Sequence, residues 1–490
     1  SGVGWEDAGT GATFKTFGTS SIMIGDSSTG TIDAANYNTG LGVDVFAALT
    51  SGDDNTVLGF GAGDALTTGS RSTFVGSNAG GATTTANNNV GVGVDALLLN
   101  TTGASNVAVG KGALDANTTA DDNTALGAIA LTSNTTGANN VAVGRSALQN
   151  NTTADNNTAV GYNSLLANTT GSYNTAVGYG AIDSNTTGTY NVGLGYNVLT
   201  TNTTGAGNIA IGLNALYANT TSADNVAIGV ASMDANTTGT LNVAVGKNSL
   251  GANTTASNNT AVGTEALAAN TTGANNVAVG ALALDANTTA NSNVAVGYGA
   301  ITTNTTGDNH TAIGTNALAA NTDGDSNTAM GSHALTANTT ADNNTAVGYA
   351  ALTANTTGTG NHAFGYQSLN AVVTNSYNTA VGFQSMLLNT GEHNTAMGSI
   401  ALNRNTSGIN NAAFGSRALY ANTTANSNTA VGFHALTANT TGPGNTALGA
   451  HALDANTTAA NSTGIGYGAL STATAGANNT ALGSEAMAAT

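Results

Sequence analysis

The chain has 490 residues, about three average domains' worth, yet only 7% are charged and 5% aromatic, with 66 glycines and one proline. Its 40% of hydrophobic residues is largely alanine, so it cannot build one thick Leu- and Phe-rich core and must bury thin layers of small side chains many times over. A formal charge of −18 argues against nucleic acid and anionic membranes, and the absence of cysteine removes disulfides, thiolate metal sites and cysteine nucleophiles.

The chain opens on Ser1 with no basic, apolar leader, which reads as a processed product. No run of about 18 apolar residues is present, so no helical membrane span is expected. Residues 1–20, with Trp5, Phe14 and Phe17, fall outside any repeat and read as an N-terminal cap or assembly junction. From Ser21 a 17-residue repeat begins. Over 21–88 it is degenerate, and the unit Asn55 to Arg71 lacks the leucine found later at its ninth position. Over 89–490 it is regular, with Asn157, Asn174, Asn191, Asn208 and Asn225 each opening a unit such as Asn157 to Tyr173. About 28 copies run to the end, one shortened between Asn378 and Asn394. The last copy stops mid-repeat at Thr490, and an open strand edge there predicts assembly through that end.

Seventeen residues are too few for two helices and their turns, and Gly at position 5 with Asn-Thr-Thr at positions 12–14 is poor helix interior. The fold class expected is all-β, a parallel β-solenoid of about 28 coils, one unit per coil. At about 4.8 Å per rung such an array would be roughly 130 Å long. Position 4 is apolar in copy after copy (Val177, Leu194, Ile211, Ile228), as is position 9 (Leu165, Ile182, Leu199), so both are expected to face inward. Position 3, nearly always alanine, is then expected to face a second sheet or another subunit. Position 10 (Leu166, Asp183, Thr200) is expected in solvent. Gly161, Gly178 and Gly195 suit a corner needing positive φ, and stacked Asn168, Asn185 and Asn202 suit an amide ladder.

The segments Asn174 to Tyr179, Asn208 to Gly212 and Asn276 to Gly280 resemble the N/S-x-A-[IV]-G head repeats of trimeric autotransporter adhesins, and similar repeats occur in phage tail fibres. The resemblance covers about nine-tenths of the chain. It implies a parallel β-roll, often three chains side by side, that binds a surface or holds something away from one. The adhesin heads usually carry a shorter repeat, and the sequence has no heptad stalk, C-terminal membrane barrel or tail-fibre chaperone domain.

Asn-Thr-Thr also matches the glycosylation acceptor, at Asn134, Asn151, Asn168, Asn185, Asn202 and Asn219 among others, although it is equally a good turn sequence. Tyr162, Tyr179 and Tyr196 at position 6, and Tyr349, Tyr366 and Phe383 further on, form aromatic rows that either bind sugar faces or simply stack on one another. Paired threonines such as Thr169 and Thr170 invite an ice-binding comparison, but adjacent residues point to opposite sides. Asp122, Asp155, Asp224, Asp308, Asp325 and Asp342 could collect calcium but lack the glycine-rich nonapeptide, and His434 with His451 gives two metal ligands without a third. No metal or cofactor is assigned. No nucleophile elbow, P-loop lysine or HExxH occurs, so no catalytic residue and no enzyme is expected. The expected function is an extracellular fibre or filament subunit, secreted, on a cell surface or in a virion, that acts as a rigid adhesive spacer and associates with itself. The alternatives are an adhesin or tail-fibre head that binds cell-surface glycans and, less well matched, an ice-binding solenoid or a polysaccharide lyase.

Overall fold

The computed structural model describes residues 20–25, 34–472, 474 and 476–488, and the backbone of 13–17. Trp5 and Thr490 lie outside the described residues. Phe14 and Phe17 lie in β1 (Thr13–Phe17), with side chains outside what is described. Among the described residues there are 29 strands and no helix. Two compact units divide the chain, the first ending at Leu241 and the second beginning at Asn242.

In the first unit β1 runs antiparallel to β2 (Ser21–Gly25), and every later pairing is parallel. After β3 (Thr39–Gly42) each coil contributes one three-residue strand, to β14 (Val226–Ile228). The second unit repeats the scheme from β15 (Val243–Val245) to β29 (Thr480–Leu482). Register is position for position: Thr158 opposes Thr175, Ala159 opposes Ala176 and Val160 opposes Val177. The parallel solenoid inferred from the 17-residue period is therefore the observed architecture of each unit.

The strand's two faces are inverted relative to expectation. Position 3 is the inward one: Ala159, Ala176, Ala210 and Ala227 are fully buried. Position 4 faces out, with Val177 at 38%, Ile228 at 36% and Met397 at 49% exposure. Alternation fixes that the two residues lie on opposite faces without saying which face is inside. The thickness of the coil decides it. Leu165, Ile182 and Leu199 at position 9 are fully buried as expected, as are Ser164 and Ala181 at position 8, and opposite them only a small residue fits. Position 10 is half-buried (Leu166, Asp183, Thr200) rather than free in solvent.

Volume compensation shows that positions 3, 8 and 9 form one core. In the early coils Gly63 and Gly80 replace the position-9 leucine, and Val57 and the fully buried Phe74 at position 3 supply the bulk. A Cβ on Gly80 would lie 2.5 Å from the Phe74 ring, and one on Gly40 would lie 2.9 Å from Phe46. Where Val198 enlarges position 8, Gly193 occupies position 3, and a Cβ there would come within 3.0 Å of Val198. Residues 38–88 are thus repacked, not eroded. The shortened coil drops one residue at the exposed Thr corner, and its strand keeps register, Thr379 opposing Thr395.

Non-glycine residues adopt the left-handed conformation at positions 7, 9 and 17, for example Asn163 (φ 54), Leu165 (φ 52) and Tyr173 (φ 62). Position 5 is stricter: Gly178 has φ 137, and a Cβ there would sit 2.0 Å from the Gly195 carbonyl oxygen in the next coil. Replacing Gly178 with Ala should cost about 3 kcal/mol, from strain and a backbone clash. Gly180→Asn, at a position where Asn163 and Asn197 already hold the same φ, should cost under about 1 kcal/mol. Chemical denaturation of the two variants beside the parent measures both.

Candidate functional site

The surfaces and ladders that could carry function follow from the stacking, because every side chain meets its own equivalent one coil away. At position 12, Asn168 donates through Nδ2 to Asn151 Oδ1 at 2.9 Å and to the Gly171 carbonyl at 2.9 Å, while its Oδ1 accepts from Asn185 at 2.9 Å. At position 1, Asn157 Oδ1 accepts the backbone N–H of Asn174 at 2.9 Å, and its Nδ2 donates to the same Gly171 carbonyl at 3.0 Å. The amide ladder expected at position 12 is present, with a second one at position 1 that the sequence reading missed. The recurrence of asparagine at that position, replaced only by Ser21, Ser72, His310 and Ser462, was the available signal.

This geometry favours the turn-and-ladder reading of Asn-Thr-Thr over the glycosylation one. Asn134, Asn151, Asn168, Asn185, Asn202 and Asn219 are fully buried, and both amide hydrogens of each of the first five are committed to ladder partners. A sugar on Nδ2 would displace one of those bonds and require space inside the coil. Folded protein secreted from glycosylation-competent cells should therefore have the unmodified mass at these six sites, as intact-mass and peptide mapping would report. Thr169, next in the motif, donates its hydroxyl to the Thr186 carbonyl at 3.0 Å, leaving Thr170 as the exposed member of the pair.

The aromatic rows stack. Tyr162, Tyr179 and Tyr196 are spaced 5.2 and 5.3 Å between ring centroids, and Tyr349, Tyr366 and Phe383 are spaced 5.4 Å. Tyr179 and Tyr366 have a ring on each side, so a ligand meets their edges and hydroxyls rather than their faces. A further row that the sequence reading missed lies at position 17, where Tyr173 and Tyr190 stack at 5.1 Å. His434 and His451 stack at 5.4 Å, with Asp454 Oδ2 3.1 Å from His451 Nδ1. Among the described residues no three His, Cys, Asp or Glu side chains gather to hold a metal ion.

The acidic residues ahead of each coil separate into two groups. Asp155, Asp308, Asp325 and Asp342 at position 16 each accept a backbone N–H from the preceding coil, at 2.6 to 2.8 Å. Asp122 and Asp224 sit at the exposed left-handed position 17. A shallow cleft lined by Gly61, Asp64, Asn78, Gly81 and Leu98 marks the early coils where position 10 lacks bulk. Among the described residues no helix is long and apolar enough to cross a membrane.

His310 interrupts the position-1 ladder. It is 1% exposed, and its Nδ1 accepts the Asn327 N–H at 3.2 Å, which puts the proton of the neutral ring on Nε2. Burial lowers its pKa below the usual 6.5, outweighing the nearby Asp325 and Asp308 charges. The unfolded chain then binds more protons than the folded one below 6.5, so stability is lost as pH falls from 6.5 through the lowered value. His310→Asn restores the residue found in neighbouring coils. Its thermal midpoint should match the parent at pH 8 and exceed it increasingly below about pH 6.

Each unit also exposes the outer face of its sheet. From Ile24 to Leu482, position 4 is Val, Ile, Leu, Met or Phe in every coil, and position 2 is Thr, Val or Ile except at His362 and Ala412. Neither row carries Asp, Glu, Lys or Arg. No protein-family model matches the chain, and no curated protein matches it.

Proposed function

We propose that the chain is a structural protein that packs side by side with copies of itself through the outer sheet face, forming part of an extracellular fibre, and that it catalyses no reaction. The observation carrying this reading is the unbroken apolar row at position 4, flanked at position 2 by a row of mostly Thr, Val and Ile, with no Asp, Glu, Lys or Arg in either. The row recurs in every coil of each unit, so the face is long enough to be compared with the about 800 Å² per partner of a stable interface.

A second copy suits it best. Another copy presents the same rung spacing, so apolar row meets apolar row in coil after coil, whereas an unrelated partner would have to match that period. The net charge of −18 lies off these rows, so two such faces meet without burying charge. The likeness of Asn174 to Tyr179 and its equivalents to adhesin head repeats, in which three chains often lie together, points the same way.

Glutamates at Val160, Val177 and Ile211 should abolish self-association in sedimentation velocity while leaving the circular dichroism spectrum unchanged, because these side chains already face outward. Glutamates at the exposed Thr170, Thr187 and Thr204 should leave assembly intact. A parent protein that stays monomeric at high concentration, or face variants that assemble like the parent, would overturn the reading.

A further inference from the structure

We infer that the position-10 aspartates are proton-operated latches between successive coils, so that Asp115, Asp183 and Asp285 tie the turns together when neutral and leave them untied when ionised. The argument starts from their equivalents. Asn370 Nδ2 donates to the position-7 carbonyl of Ala350 in the preceding coil at 3.0 Å, and Asn403 Nδ2 donates to Gln384 at 2.8 Å. Thr336 and Thr353 make the same contact through Oγ1, to Asn316 and His333, at 3.2 and 3.3 Å. The register therefore presents a carbonyl acceptor to position 10 and calls for a donor there.

An ionised carboxylate only accepts. Asp115, Asp183 and Asp285 each have a buried Oδ1 with no hydrogen-bond partner. Aspartic acid has the shape of asparagine, and its protonated form carries the O–H that could make the bond Asn370 and Asn403 make. Proton uptake would thus turn an unmatched acceptor into a donor facing the carbonyls of Asp95, Asn163 and Glu265. Among the residues bordering these carboxyls at position 7 of the same and preceding coils and position 10 of the adjacent coils, the charged ones are Asp95 beside Asp115 and Glu265 beside Asp285. Both favour the neutral form, and the others are Gly, Ala, Leu, Asn or Thr. Desolvation raises all three carboxyls above 3.8 and is the largest cause at each.

The sign is opposite to that of His310. With a raised folded-state pKa the folded chain binds more protons than the unfolded one, so the latches stabilise fully below 3.8 and release as pH rises through the raised values. The pattern reaches beyond these three, because Asp64 and Asp234 share the position and the upward shift.

The test is a set of triple variants of the full chain, melted between pH 3.5 and 8. Asp→Asn at Asp115, Asp183 and Asp285 supplies the donor permanently and should raise the midpoint at pH 7 by about 5 °C, with the gain shrinking toward zero at pH 3.5. Asp→Ala at the same sites removes the charge without supplying a donor and should recover less than half of that rise. Asp→Asn at the exposed Asp54, Asp122 and Asp224 makes the same charge change away from the turns and should leave the midpoint nearly unmoved. Equal gains from the Asn and Ala triples would reduce the effect to relief of buried charge and overturn the latch. So would a gain that does not vary with pH, or one matched by the exposed control.

Discussion

The constraint from which the rest follows is translational: each residue lies on its own equivalent one coil away, at strand spacing, along a whole unit. A side chain in such a stack must be compatible with a copy of itself. Amides satisfy this by donating from Nδ2 and accepting at Oδ1, so Asn168 sits between Asn151 and Asn185 with nothing left over. Tyrosine rings satisfy it by stacking, and alanine, leucine and glycine by nesting. Charges of one sign do not, and only 7% of the chain is charged. Where acids do recur, at Asp308, Asp325 and Asp342, each carboxylate accepts a backbone N–H from the coil before. The unusual composition is thus the chemistry of self-stacking written out along the chain.

Much of the architecture was legible for the same reason. The period alone gives the parallel ladder, and recurrence at single positions gives the buried leucine, the glycine corner and the position-12 amides. The assignment of the strand faces was not legible from hydrophobicity, because valine reads as more apolar than alanine and both alternate. The better signal was variance in size. Position 4 ranges from Val177 to Phe364 and Phe414, which a close-packed row cannot absorb, whereas from Ala108 onward position 3 holds only alanine or, at Gly193 and Gly464, glycine, and its larger early occupants Val57 and Phe74 are coupled to glycine at position 9. The pairs Gly193 with Val198 and Phe74 with Gly80 record that coupling directly.

The turn conformations were hidden for a different reason. Leucine at φ near 50 is disfavoured by roughly 1–2 kcal/mol, and nothing in a leucine-rich pattern suggests it. Burial of the side chain contributes roughly 1.5–3 kcal/mol, enough to hold it there. Gly63 and Gly80 adopt the same φ at the same position, so the backbone path belongs to the coil and not to its occupant. The two readings of the glycosylation motif were hidden in the same way. Asn-Thr-Thr is a local pattern, and whether its amide is accessible depends on the stacking of neighbouring coils, which turns the asparagine inward.

These features bear on how each unit divides its apolar residues. The core of a coil is thin: one alanine, one alanine or serine, and one leucine, closed by two asparagines that converge on a single carbonyl. From β6 (Val90–Val92) onward the strand's larger apolar side chain is left outside in each coil, half-covered by its neighbours in the row. For a lone unit that arrangement exposes apolar surface without return, and a polar residue at position 4 would serve solubility better. Its persistence alongside the exclusion of all four charged residue types is coherent when the face is covered, so that residues absent from the thin interior contribute their burial between chains. In the self-association proposed above, stability within a coil and contact between copies would draw on opposite faces of the same three-residue strand.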